Sequence, residues 1–313
     1  MKRRQAVKSV MAAVTGGMLA LTRPAGGAQG SPSANGRPSR GAPFVQTRDQ
    51  TRIAVRDWGE GRPIVFVAPW ALCADWWDRH MTALVSQGWR CLAFDRRGHG
   101  RSDEPGRGYD FDTLADDLAA VLDSRDLENA VLVGHSLGGA EVVRYVTRHQ
   151  SRHVTRVVLI APTTPFTLKT DDNPDGATRD ALEQSRQALA RDFHQTIAKA
   201  APDFFGAAKN NVSSEAQAWW TRMIVDRCPL KVMLDLHKMM TETDFRPELR
   251  TITTPTLIVH GDSDVSTNLE RTSRRTHQLI AGSQLTIYEG AAHGLPFTHT
   301  ERLLADIVRF AQG

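Results

Sequence analysis

The stretch Ala130-Val131-Leu132-Val133, running into Gly134-His135-Ser136-Leu137-Gly138 and then a helix-like segment from Gly139, constrains this chain more than any other. A continuous, β-branched apolar run suits a strand buried on both faces. A chain passing directly from such a strand into a helix must turn sharply. Glycines two before and two after Ser136 let the two backbones pass without Cβ clashes, and the turn holds the Ser136 hydroxyl at the carboxyl end of a sheet. Similar apolar runs occur at 63–68, 91–94, 157–160 and 256–259. Helical patterns at 76–87, 111–123 and 139–147 alternate with them, and Asp112 is placed to cap the second. Residues 52–57 alternate and read as an early antiparallel strand. The repeated strand–helix order predicts an α/β protein with a mostly parallel sheet and right-handed crossovers.

A serine nucleophile needs a base to take its proton and an acid to orient that base. His260-Gly261-Asp262-Ser263-Asp264 follows one apolar run, and Gly290-Ala291-Ala292-His293-Gly294 follows the alternating segment 284–288. Ser136, an aspartate and His293 therefore each lie just past a strand, where an open α/β sheet builds its site. Two carboxylates, Asp262 and Asp264, compete for the acid's role. The oxyanion of an acyl-transfer intermediate needs two backbone N–H donors. Leu137, directly after the nucleophile, supplies one.

The regular alternation stops after Pro162. Residues 163–248 lack buried-strand patterns and carry helical stretches at 178–200, 214–223 and 230–240, as expected of a helical cap inserted over the site. The core is then 44–162 together with 249–313. Trp70, His135, Trp219, Trp220 and Met223 are candidate pocket residues. His99 and His260 read as structural, and His299 as capping or exposed. No Cys/His spacing suggests a metal site. Cys73, Cys91 and Cys228 cannot all pair with one another, and Cys91 falls in an apolar strand.

These motifs, together with Asp95-Arg96-Arg97-Gly98-His99-Gly100-Arg101-Ser102, resemble the α/β-hydrolase family, especially its cofactor-free (non-haem) haloperoxidases, aryl esterases and perhydrolases. The likeness runs from about Phe44 to the C-terminus and is weaker between about Phe166 and Pro247. The resemblance implies the α/β-hydrolase fold, Asp264 as the acid and Asp262 as a turn stabiliser. It implies a second oxyanion donor in the loop after 63–68. That family usually carries His-Gly there, whereas this chain has Ala68-Pro69. Pro69 has no N–H, so by position the donor is Trp70. The implied activity is hydrolysis of carboxylic esters or lactones through an acyl-enzyme, without cofactor or metal, and with perhydrolysis as a side reaction. A carbon–carbon bond hydrolase using the same triad and a low-turnover ligand-binding relative are the alternatives. Relatives that are dehalogenases or epoxide hydrolases carry Asp where this chain has Ser136.

Charge excludes little by its total. Residues 1–28 hold Lys2, Arg3, Arg4, Lys8 and Arg23 and no acid, so removing these five from the total of +4 leaves −1. No nucleic-acid or acidic-membrane footprint follows. Arg3-Arg4-Gln5-Ala6-Val7-Lys8, a modestly apolar stretch at 10–21 and Gly26-Gly27-Ala28 come in the order of a twin-arginine export signal. That stretch is too short and too rich in Gly and Thr for stable membrane insertion. Residues 29–43 read as a flexible tether, and the expected location is periplasmic or secreted, against a cytoplasmic alternative. Oligomeric state is not encoded in any of these patterns. N-terminal sequencing of the native protein should give a start near Gln29, and changing Arg3 and Arg4 to Lys together should leave the precursor uncleaved. Recovery of an intact N-terminus from the soluble cytosolic fraction would rule out the signal.

Overall fold

The computed structural model describes residues 43–313; the proposed signal and all but the last residue of the proposed tether lie outside them. Eight strands form one sheet in the order β1-β2-β4-β3-β5-β6-β7-β8. They are β1 Phe44–Gln46, β2 Arg52–Trp58, β3 Pro63–Val67, β4 Arg90–Phe94, β5 Ala130–His135, β6 Val154–Ile160, β7 Thr256–Gly261 and β8 Gln284–Tyr288. β2 pairs antiparallel with both β1 and β4, and every later pair is parallel. Burial explains the composition. Every residue of β3, β4, β5 and β7 is buried, so each reads as an unbroken apolar run and not as an alternation.

Helices α1 Asp78–Val85, α2 Phe111–Ser124 and α3 Leu137–Arg148 occupy the first three crossovers. Between β6 and β7 lie α4 Arg179–Arg191, α5 Phe193–Phe205, α6 Ala207–Asn210, α7 Ser214–Arg227, α8 Leu230–Glu242 and α9 Arg246–Leu249. The chain closes with α10 Ser273–Leu279, α11 Leu295–Thr298 and α12 Thr300–Gln312. Among the described residues, no helix is long and apolar enough to cross a membrane.

Winding reverses at β3. The chain steps to β4 on one side of β3 and afterwards to β5 on the other, with Val67 in register beside Gly134. A reversal of this kind opens a crevice beyond the carboxyl ends of the two strands. Those ends are the Ala68-Pro69-Trp70 loop and Ser136.

Local chemistry differs from the sequence expectation at several points. The cap of α2 is Asp110, not Asp112: Asp110 has extended φ/ψ and its carboxylate accepts the Thr113 N–H at 2.9 Å. Asp112 already lies inside the first turn and pairs with Arg144. The stretch 178–200 is two helices and not one. Asp192, at φ −157° and ψ 84°, leaves the helical region and caps α5 through the Gln195 N–H at 2.9 Å. The segment 76–87 opens as a 3₁₀ turn, Ala74–Trp77, before α1. Asp110→Ala should cost about 1 kcal/mol, lowering Tm by roughly 2–4 °C in a domain of this size. Asp112→Ala should not reproduce this as a capping loss. Thermal unfolding followed by circular dichroism reads both.

Candidate active site

Ser136 stands between β5 and α3 at φ 56° and ψ −119°, a conformation that side chains rarely adopt. Strain of this kind, of order 1–3 kcal/mol, survives only where the surroundings impose it. Here the glycines do. A Cβ on Gly134 would fall 2.4 Å from the Gly138 carbonyl oxygen, and one on Gly138 would fall 2.5 Å from that of Val67. The elbow therefore closes only with glycine at both places, and α3 lies directly against the end of β3. The Ser136 N–H donates to the Ile160 carbonyl at 2.8 Å, fixing the turn to β6.

Asp264 and His293 meet across the ends of β7 and β8. His293 Nδ1 lies 2.6 Å from Asp264 Oδ2. The carboxylate can only accept, so Nδ1 carries the proton and Nε2 is left as the basic nitrogen. Asp264 Oδ1 accepts the Ser266 and Thr267 N–H groups, both at 2.8 Å. Its Oδ2 also accepts the Thr267 hydroxyl at 2.9 Å and lies 3.3 Å from His260 Nε2. Burial pushes this carboxyl upward. The attraction of His293 and hydrogen bonds from His260 and His293 outweigh it and hold Asp264 well below the usual carboxylate range.

Asp262 does different work. Its Oδ1 accepts the Gly290 N–H at 2.8 Å and the Ser263 hydroxyl at 3.1 Å, tying together the loops after β7 and β8. No contact of Asp262 reaches His293.

The residues flanking Ser136 are also organised. His135 is fully buried, and its Nε2 donates to the His293 backbone carbonyl at 3.0 Å. Burial and the neighbouring His293 hold His135 well below the ordinary histidine range, so it is neutral. Its ring centroid is 4.8 Å from that of His293 and 6.0 Å from that of Trp76. The Trp70 and Leu137 backbone N–H groups have no hydrogen-bond partner among the described residues.

The pocket candidates disperse. Trp70 is half-buried and its indole donates to the Met233 carbonyl of α8 at 3.0 Å. Trp220 and Met223 are buried, Trp220 with its ring 4.5 Å from Phe204. Phe204 in turn stands edge-on to His293 at 5.4 Å. Trp219 stacks with Trp76 at 6.3 Å and lines a separate cleft of about 400 Å³ with Phe297 and Arg56. Another cleft, of about 330 Å³, runs between α8 and the loop after β7 and is bordered by Thr163, Phe166, His237, Met240 and Thr267. Thr267 touches His293 Nδ1 and the Thr163 N–H touches the Ser136 carbonyl, so this cleft borders the Asp264 side of His293 and the backbone of Ser136.

Sequence reasoning did not single out Thr267, Phe204 and Trp76, and it read His260 as structural. His260 is buried and bridges Ser273, the Thr267 carbonyl and Asp264. His99 accepts the Cys228 thiol at 3.4 Å, and His299 bonds Thr298. All three cysteines are free and buried, and burial pushes Cys73 and Cys91 up to about 12. Among the described residues no group of His, Cys, Asp and Glu could hold a metal ion.

Residues 62–300 match the alpha/beta hydrolase fold family, and the chain belongs to it. It is an enzyme of the α/β-hydrolase superfamily. A non-heme haloperoxidase of Rhodococcus erythropolis is 36% identical over 274 residues, spanning 86% of this chain and 99% of that protein. A bifunctional esterase/perhydrolase of Acinetobacter calcoaceticus is 33% identical over 275 residues, 85% and 98% of the two chains. The bromoperoxidase from Bacillus anthracis superposes with a TM-score of 0.82 at 31% identity, covering 86% of this chain and 99% of that one.

Asp264→Asn should reduce kcat by about 10⁴, because the imidazole loses its orienting anion. Asp262→Asn should leave kcat within about tenfold and cost roughly 1 kcal/mol of stability through weakened loop contacts. Steady-state kinetics and chemical denaturation of both variants check the division of labour, and a reversed order would transfer the acid's role to Asp262.

Proposed function

We propose that the protein is a cofactor-free serine hydrolase of carboxylic esters or lactones. Ser136 attacks the carbonyl while His293 Nε2 takes its proton, and Asp264 orients and stabilises the imidazolium. The Trp70 and Leu137 amides bind the oxyanion. Collapse expels the alcohol, protonated by His293, and leaves an acyl-Ser136. Water activated by His293 then releases the acid. Hydrogen peroxide in place of water releases a peracid and regenerates the same Ser136 hydroxyl. The peracid oxidises halide in solution, so bromination needs only the hydrolytic residues. The names of the haloperoxidase and esterase/perhydrolase relatives support this reading. The observation that carries it is the Asp264–His293 hydrogen bond, at the same sheet edge as a strained serine and two unpaired amides.

The cleft bordered by Thr267 and Thr163 serves as the route for the acyl arm. Its lining is mixed: Phe166, Leu182 and Met240 supply apolar surface, and Asp175, Arg271 and Arg275 supply charge. An exported enzyme of this kind would act outside the cytoplasm, in keeping with the arginine pair at residues 3 and 4.

Ser136→Ala should lower kcat on p-nitrophenyl esters by about 10⁴–10⁶ with the fold retained. Fluorophosphonate labelling and carboxylate-dependent bromination should vanish together, and a chelator should affect neither in the wild type. Bromination that persists in Ser136→Ala would separate the peroxidative activity from the acyl-enzyme.

A further inference from the structure

Of the buried ion pairs that the mechanism leaves unused, one reaches the loop after β3. Arg96, in the turn after β4, and Glu141, on α3, are 2% and 0% exposed. Arg96 Nε donates to Glu141 Oε2 at 2.7 Å, and its Nη2 donates to the Ala68 carbonyl at 2.8 Å. Arg96 Nη1 and Glu141 Oε1 are buried with no partner. Burial pushes the Glu141 carboxyl up to about 7 against the attraction of Arg96. An incompletely satisfied pair of this kind is a poor stabilising device. Well-packed apolar residues in its place are often neutral or stabilising.

Its geometry points elsewhere. The carbonyl that Arg96 holds belongs to the Ala68–Pro69 peptide, and the next peptide carries the Trp70 N–H. Two torsions separate those planes, and the proline ring locks one of them. Fixing the Ala68 carbonyl therefore fixes the Trp70 amide to within a single torsion. At its other end the pair grips α3, the helix whose first amide is that of Leu137.

We propose that Arg96, anchored by Glu141, is a positioning residue that sets the Trp70 amide relative to the Leu137 amide and so shapes the oxyanion hole. The inference rests on the acyl-transfer reading above. It concerns only how the two donors are held.

The test uses p-nitrophenyl acetate and phenylboronic acid, whose tetrahedral adduct on Ser136 places an anionic oxygen in the hole. In Arg96→Met/Glu141→Leu, kcat should fall by about 10–10²-fold, the range for a misplaced group. The phenylboronic acid inhibition constant should rise by a similar factor. KM should stay within about twofold, and any fall in Tm should be limited to the few degrees that one orphaned Ala68 carbonyl costs. Arg96→Lys should show a smaller loss along the same line. Wild-type kcat and boronate affinity in the double variant would overturn the proposal, as would a fall in Tm with boronate affinity intact. If the double variant does not fold, Arg96→Lys and Glu141→Gln decide by the same boronate readout. Wild-type protein that neither cleaves esters nor takes a fluorophosphonate on Ser136 overturns the acyl-transfer reading itself, which the variants alone cannot do.

Discussion

The parallel pairing of β3 with β5 is the contact on which the rest of this molecule depends. It sets Val67 beside Gly134 at the point where the winding of the sheet reverses. One residue of slip would turn each strand's side chains to the opposite face. It would also carry the Ala68-Pro69-Trp70 loop away from Ser136. The absence of a Cβ at Gly138 fixes how closely α3 can approach that loop. Register and glycine together place a hydroxyl and two free amides at one edge, before any side-chain chemistry is considered.

At Asp264 and His293 the constraint is electrostatic. Asp264 is buried among donors from two backbone amides, a threonine and two histidines. A carboxylate so surrounded remains charged without water and does not rotate. His293 inherits that order through Nδ1 and again through its carbonyl, which His135 holds. His135, the neighbour of Ser136, thus secures the backbone of His293, which is held by backbone as well as by side chain.

Much of this was legible in the sequence, because buried parallel strands are continuous apolar runs and site residues follow them directly. Ser136 and His293 could be singled out as candidates that way, whereas the choice of Asp264 over Asp262 came from the family resemblance. The departures have local causes. Asp110 and Asp112 are both acidic and two residues apart, and the backbone angles of Asp110 decide which one caps. Asp192 breaks a helix that composition alone would have continued, because its side chain competes for the next helix's first amides. Thr267 becomes visible only when the loop after β7 folds back on Asp264. Trp219 and Trp220 are adjacent, so a helix points them about 100° apart. One meets Trp76 and the other Phe204, and no pattern in the sequence says which face looks at the site.

One bond outside the chemistry has a mechanical consequence. The Gly294 N–H, next to His293, donates to the Phe204 carbonyl at the end of α5 at 2.6 Å, and the Phe204 ring stands edge-on to His293. A rigid displacement of α5 would drag the His293 loop with it and strip a ring from the imidazole. The segment between β6 and β7 is in this way fastened by its backbone to the loop that carries His293.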